Sequence, residues 1–515
     1  MTTMVIVGAI VAQFNSEQFG RSGYGPGNGG GGALGNTDEA PVPQAVVMLD
    51  HDGQVYKLSD DLTADGTAVA VTADDVTLDL NGHTITYNAA PSDQPVYGVY
   101  VAIGIDRVTI KNGYILQGAG KSKASPAIYL YGASWQVGPH ELHDLVIRTQ
   151  GFQSDGIQAD KGYGFNGSKI YRSYIEVRGG TDAVDGEGGD CIMISAENRG
   201  GVEIHDNILV GGHRGMQLVD LGAEESNRSD IFGNRIQHHR SLGSKAPYGI
   251  LLAGRSHNVQ IRDNQIVSDD GRGINIDGWG QDVPEGASGN TISNNRIDVQ
   301  YSSVARSGEY VENNVYGIRD RYSSGDNIFE NNVVTIGSDI SGEVFGFYIG
   351  SDDPDPLMRN ITVRGNTVIA RQGPDRSSES VAFQFGAAQS VAVSGNRYLA
   401  SKLVDGEDQV KDLKMSDNVT LARDSNVQAV SDLKLTRFGN SYLLEWKAHV
   451  TAGTQEYVVR RDGKRLPISP RGGTFYVDID VVGEHRYEVS SVSMEGVEGP
   501  RSVAVTTDKA TKAWW

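Results

Sequence analysis

An asparagine recurs in this chain at nearly constant intervals, each time opening a short apolar segment: Asn207-Ile208, Asn234-Arg235-Ile236, Asn264-Gln265-Ile266, Asn295-Arg296-Ile297, Asn332-Val333, Asn366-Thr367-Val368 and Asn396. The gaps are 27, 30, 31, 37, 34 and 30 residues. Weaker copies keep step upstream at Asn81, Asn112, Asp144 and Ser173. Between these corners runs a second short segment with its own register, among its copies Asp155-Gly156-Ile157, Arg214-Gly215-Met216, Tyr248-Gly249-Ile250, Arg272-Gly273-Ile274 and Tyr316-Gly317-Ile318. Strands this short cannot bury a face alone, but coils stacked at about 4.8 Å per rung turn each position into a ladder. Helical repeats of similar period need a 3.6-residue pattern, which is absent, and propeller blades need four strands each. The expected fold is all-β: a right-handed parallel β-helix of about 10 to 12 coils over residues 44–427, then a small β-sandwich over 428–510. Asparagine suits the corner because it tolerates left-handed backbone and caps neighbouring amides.

Composition agrees and excludes some partners. With 66 glycines and only 15 prolines the chain suits short strands and tight turns. A formal charge of −20 argues against nucleic acid or an anionic membrane as a general partner. The single cysteine, Cys191, rules out an internal disulfide and reads as a small core residue. Residues 1–43 combine an apolar run, Met4 to Ala12, with a Gly-rich linker. The run is shorter than the roughly 20 residues a membrane span needs. It reads as a signal-peptide core, although no Lys or Arg precedes it; an anchor, a truncated signal and a buried strand are the other readings. The expected location is extracellular or at the cell surface.

Strand alternation turns Ile157, Ile192, Met216, Ile250, Ile274 and Ile318 into the coil and their neighbours outward. One outward row reads Gln158, Met193, Gln217, Leu251, Asn275, Arg319 and Tyr348, with Asp160, Asp277 and Arg321 further along the same face. Two places before the buried position stand Asp155, Asp190, Arg214, Tyr248, Arg272 and Tyr316, expected as surface groups in the entering turn. Such acids, arginines, amides and tyrosines are what an oligosaccharide surface requires. For any single position, a solvated sheet face explains the residue equally well.

Asp155 and Asp190, on adjacent coils, are expected roughly 5 Å apart, where one carboxyl would keep a proton and act as general acid. A second chemistry uses His213, Arg214, Tyr248 and Arg272: arginine neutralises a sugar carboxylate while a base removes the adjacent proton. No cofactor is required by either. Ca²⁺ is the one metal that Asp182, Asp185, Glu187 and Asp190, or the loop from Ser351 to Asp355, would suit, though neither has an established ligand spacing, and His238-His239 and His257 lack one for zinc.

Over about residues 45 to 425 the chain resembles the pectate-lyase and polygalacturonase superfamily. Gln153-Ser154-Asp155-Gly156 resembles the Asn-Thr-Asp-Gly motif of polygalacturonases, Gly189-Asp190-Cys191 their Asp-Asp-Cys, and Gly212-His213-Arg214-Gly215 their Gly-His-Gly. Gly317-Ile318-Arg319-Asp320-Arg321 is similar to their substrate-binding Arg-Ile-Lys segment, three coils later than expected. Gly189 replaces the family's general acid, and Arg214 interrupts the histidine motif. The resemblance implies cleavage of glycosidic bonds in a uronic-acid-containing polysaccharide, by hydrolysis or β-elimination. Catalysis then falls to Asp155, Asp190, His213 and Arg214, and substrate binding to Gln158, Asp160, Gln217, Tyr248, Arg272, Asn275, Asp277, Arg319 and Arg321. A uronate C5-epimerase shares the same chemistry, and a polysaccharide-binding adhesin shares the same rod. A catalytic cleft would be walled by the insertions Gly179 to Gly189 and Asp220 to Pro247, whereas an adhesin would present flat, evenly polar ladders. At the C-terminus, the alternation of Leu433-Lys434-Leu435, Leu443-Leu444-Glu445-Trp446, Tyr457 to Arg460 and Tyr487 to Val492 looks like a fibronectin type III module, with Trp446 in its core.

Overall fold

The computed structural model describes residues 3–6 and 42–512, except the segments 132–137, 161–164, 179–188, 199–200, 223–227, 239–247, 270–271, 279–285, 302–314, 339–342, 352–357, 372–378, 422–426, 448–453, 467–469, 471–472 and 494–495. The chain is a right-handed parallel β-helix followed by a β-sandwich. One helix sheet has 13 parallel strands in chain order: β1 (Ala45–Leu49), β2 (Thr67–Val71), β3 (Val99–Val101), β4 (Ile128–Tyr131), β5 (Ile157–Asp160), β6 (Ile192–Asn198), β7 (Arg214–Leu221), β8 (Tyr248–Ala253), β9 (Arg272–Asp277), β10 (Val315–Arg321), β11 (Val344–Ile349), β12 (Ser380–Phe385) and β13 (Lys402–Asp405). A 25-stranded sheet completes the coils, mostly with two short strands per turn. Thr3–Ile6, from the apolar start of the chain, lies in parallel on Val55–Leu58. Among the described residues no helix is long and apolar enough to cross a membrane.

The asparagine corner holds the coils in register. Asn264 is typical: its backbone N–H donates to Oδ1 of Asn295 at 3.0 Å, and its Nδ2 donates to the Ile231 carbonyl at 2.8 Å and again to Asn295 Oδ1 at 3.0 Å. The same pattern links Asn207, Asn234, Asn295, Asn332, Asn366, Asn396 and Asn418. The left-handed backbone falls one residue earlier than expected, on Asp206, Gly233, Asp263, Asn294, Asn331, Gly365 and Gly395. The ladder asparagine itself must point inward to bond, so its predecessor makes the turn. In the early copies Asn81, Asn112 and Asp144 occupy that turning position instead. A second asparagine step, Asn290 to Asn327, bonds in the same way.

The glycines before the inward isoleucines answer a close approach. A Cβ on Gly273 would lie 2.3 Å from both the Gly317 carbonyl oxygen and Ile297 Cγ2. Ile157, Ile192, Met216, Ile250, Ile274 and Ile318 are fully buried, as alternation requires.

The sandwich pairs a four-stranded with a five-stranded sheet around Trp446, Tyr457, Phe475 and Tyr487, with Trp446 and Tyr457 edge to face at 5.3 Å. It docks on the 25-stranded sheet. Tyr174 stacks on Phe438 at 5.1 Å, and Gln237 exchanges two 2.8 Å hydrogen bonds with the Val477 backbone. Beneath them Glu176, fully buried, is held by Arg148, Arg178, Tyr174 Oη and Ser441, and Arg178 continues to Asp480 in a forked 2.8 Å pair.

Replacing Asn264 by Ala removes both bonding groups of one corner, depriving the Asn234 N–H of its acceptor and the Ile231 carbonyl of its side-chain donor. Each such buried group costs about 1 to 3 kcal/mol, so the variant is expected to unfold at distinctly lower urea concentration with unchanged far-ultraviolet circular dichroism beforehand.

Candidate functional site

The candidate residues stand on the outward side of the 13-stranded sheet. Register aligns Gln158 of β5, Met193 of β6, Gln217 of β7, Leu251 of β8, Asn275 of β9, Arg319 of β10 and Tyr348 of β11 in one row. Arg214, Tyr248 and Arg272 face one another across β7, β8 and β9. In the third row Asp277 faces Arg321. Asp160 pairs with Ser195 at the far end of that row, where only the backbone is described.

Two expectations about exposure are corrected. Gln217, Leu251, Asn275 and Arg319 point away from the core yet are buried, because rungs spaced about 4.8 Å apart let large side chains cover their neighbours. Asp155 and Asp190 are also buried rather than surface groups. The Asp155 carboxylate folds back onto the backbone and accepts the Asp190 N–H at 2.6 Å, which takes it out of solvent. Asp190 accepts from Arg214 Nη1 at 3.2 Å, while its Oδ1 has no hydrogen-bond partner. Burial pushes the Asp190 carboxyl up, against the opposing pull of Arg214. Cys191 is fully buried, and burial beside Asp190 drives its thiol well up, away from a nucleophilic thiolate.

Tyr248 is the hub of the first centre. Arg272 Nη1 donates to its hydroxyl, and the Arg272 guanidinium lies 4.7 Å from its ring centre. The Arg214 guanidinium stands 6.0 Å from the same ring, and the His213 ring meets it edge-on at 6.4 Å. His213 is half-buried, its Nδ1 is sealed from solvent without a partner, and its pKa falls well below the usual imidazole range, first through burial and then through Arg214, His238 and Arg272. His238, which the sequence singled out only as half of a histidine pair, is a brace: its ring nitrogens meet the Gly211 carbonyl at 3.1 Å and the Tyr248 carbonyl at 2.8 Å. Burial holds it down to about 4.

The second centre lies further along the strands. The Arg319 guanidinium sits 5.2 Å from the Tyr316 ring and 5.8 Å from the Tyr348 ring, with Phe345 stacked on Tyr316 at 5.6 Å. Asp277 is half-buried. Burial raises its carboxyl, opposed by Arg321, Arg319, a hydrogen bond from Asn275, and Arg272. Sequence reasoning missed Tyr316 and Phe345 as the cradle of Arg319, although both share the register row of Arg272. It also missed Asp320, which alternation places inward between Ile276 and Ile349.

Asp182, Asp185, Glu187, His239, Asp352 to Asp355, nearly all of the insertion from Gly179 to Gly189 and half of that from Asp220 to Pro247 lie outside the described residues. Among the described residues no group of three His, Cys, Asp or Glu is arranged to hold a metal ion.

No family model and no curated protein matches this chain. Among solved structures, it is similar to the A-module of Azotobacter vinelandii mannuronan C-5 epimerase AlgE6, at 12% identity over 73% of this chain and 92% of that one, with a TM-score of 0.42. The Siphovirus 9NA tailspike receptor binding domain matches at 8% identity over 90% and 84%, TM-score 0.31. The Clostridium thermocellum CbhA fibronectin(III)-like modules match at 18% identity over 17% of this chain and all of that one, TM-score 0.14.

Asp320 is fully buried and its carboxyl is pushed up to about 7, mainly by burial, against hydrogen bonds from Ser323 and Asn327. A folded value above the ordinary 3.8 means that the fold favours the protonated acid. That contribution is complete below the ordinary value and disappears as pH rises through 7. Asp320→Asn is therefore expected to gain stability over the parent as pH rises from 4.5 to 8, by a few kcal/mol at most on the scale of about 1.4 kcal/mol per unit, read from urea unfolding at the two pH values.

Proposed function

We propose that this chain is an exported enzyme that binds an acidic, uronic-acid-containing polysaccharide and removes the proton next to a sugar carboxylate, giving β-elimination or C5 epimerisation. The observation that carries the reading is the Tyr248 hub, a phenol bonded by Arg272, met edge-on by His213 and flanked by Arg214. A guanidinium beside the sugar carboxylate disperses the negative charge that builds up as the adjacent C–H bond breaks. His213, kept neutral by its surroundings, accepts the proton. Tyr248 supplies a hydroxyl for the opposite transfer. In elimination the C5 electron pair forms the C4–C5 double bond, and the C4–O bond breaks with protonation of the leaving oxygen. In epimerisation a proton returns to the other face of C5.

Hydrolysis by Asp155 and Asp190 has less support, since each carboxylate is already engaged, by the Asp190 backbone N–H and by Arg214. The adhesin reading expects evenly polar rows; the gathering of arginines and tyrosines on β7 to β11 favours an enzyme. The C-terminal sandwich fits a fibronectin type III-like spacer, anchored to the helix.

Uronic-acid polymers incubated in D2O separate the readings. Deuterium at C5 supports epimerisation, and ultraviolet absorbance of an unsaturated product supports elimination. Tyr248→Phe and His213→Gln are each expected to lower kcat by about 10² to 10⁴. New reducing ends without absorbance or deuterium, lost in Asp190→Asn, would replace this mechanism with hydrolysis.

The pH profile gives a separate check. Because His213 binds its proton only well below the ordinary imidazole value of 6.5, the acid limb of kcat/KM is expected below 6.5. A limb at or above that value would remove His213 as the base.

A further inference from the structure

We propose that Arg214 is the guanidinium that receives the sugar carboxylate, and that Asp190, fixed in turn by Asp155, is its positioning residue. This rests on the acidic-polymer reading and divides the labour at the Tyr248 hub. Arg272 Nη1 donates to the Tyr248 hydroxyl, so that guanidinium orients the phenol. Arg214 stands further from the same ring, at 6.0 Å against 4.7 Å. Its carboxylate partner is Asp190, which accepts from Nη1 at 3.2 Å.

The pair is asymmetric. The Asp190 side chain is 3% exposed and that of Arg214 22%, so the carboxylate is a sealed footing and the arginine reaches the surface. Arg214 Nε is sealed as well, and contact with the polymer falls to the terminal nitrogens. Asp190 does not meet the polymer; it acts through Arg214. Its backbone has little latitude: its N–H donates to the Asp155 carboxylate at 2.6 Å, and its carbonyl accepts from the Gly156 N–H at 2.9 Å. The next N–H, of Cys191, donates to the Arg214 carbonyl at 3.0 Å. Asp155, Asp190 and Arg214 thus hold the same position on three successive rungs, two places before the paired Ile157, Ile192 and Met216. The side-chain bond uses one corner of a planar fork that has donors to spare. A long side chain loses rotamer freedom when it meets an anion, and a guanidinium already tethered has lost part of it beforehand. The tether is strong because breaking it leaves a buried charge unpaired.

The test is preference for the acid over its neutral form: purified full-length protein is titrated with a uronate oligomer and with the methyl ester of the same oligomer. The parent is expected to bind the acid more tightly. Arg214→Gln and Asp190→Asn should each cut that preference by about ten- to hundredfold, the scale of one charge-assisted hydrogen bond, whereas a merely structural loss would weaken both forms alike. In the double variant, Asp190→Asn should change the preference by less than about a factor of two beyond Arg214→Gln, because it acts only through that arginine. Thermal unfolding verifies that the variants fold, and Asp155→Ala, which takes the acceptor from the Asp190 N–H, carries the same comparison should Asp190→Asn not fold. Losses that multiply in the double variant, or an acid preference that Asp190→Asn leaves intact or increases, overturn the assignment. The two failures are distinguishable. A parent that binds no acidic oligomer defeats the acidic-polymer reading and the assignment with it, whereas a parent whose preference for the acid is indifferent to Arg214→Gln or Asp190→Asn defeats the assignment alone.

Discussion

The architecture depends on one interaction repeated from coil to coil: the asparagine amide that accepts from its neighbour's backbone and donates to a carbonyl of the preceding coil. A parallel coil has no tight hairpin to fix its register, and a one-residue slip would exchange inward and outward faces. The asparagine removes that freedom at every turn. Only because Ile250, Ile274 and Ile318 are thereby locked inward do Tyr248, Arg272 and Arg319 arrive together on the outer face.

On a strongly acidic chain, the outward rows bring several arginines and tyrosines together. Arg214, Arg272, Arg319 and Arg321 fall on three strands of one sheet, and near them Asp190 and Asp277 are each tied to a named partner. The aromatic rings of Tyr248, Tyr316 and Tyr348 hold the guanidiniums in place through their π faces. Overall charge therefore says little about what binds here, and local register says much.

Much of this was legible before any coordinates. The asparagine spacing and the Gly-Ile pairs were enough to infer the coil, its inward ladder and the outward residues, because strand periodicity is a property of the backbone. Burial of the outward rows was not legible. Whether Asp155 faces solvent or caps an amide depends on the conformation of one turn, and Arg319 is covered only because Tyr316 and Tyr348 sit on neighbouring positions. The left-handed residue was misplaced by one, since an asparagine at a corner suits either the turn or the ladder and the spacing alone does not distinguish them. Asp320 sits between two outward arginines in a segment similar to a substrate-binding motif, and that likeness says nothing of its inward place between Ile276 and Ile349.

The docked sandwich has a consequence for how the rod comes apart. A solenoid is held by nearest neighbours, so it opens from its ends like a zip. Here Arg148, Tyr174, Arg178, Gln237 and Gln265 all grip the same appended module, tying neighbouring coils and coils several turns apart to one body. Those coils must release together. The terminal turns around Met415 and Val419, exposed and outside that grip, separate one at a time. The rod is thus a cooperative block with a loose end, and the tyrosine hub lies within the span of the block.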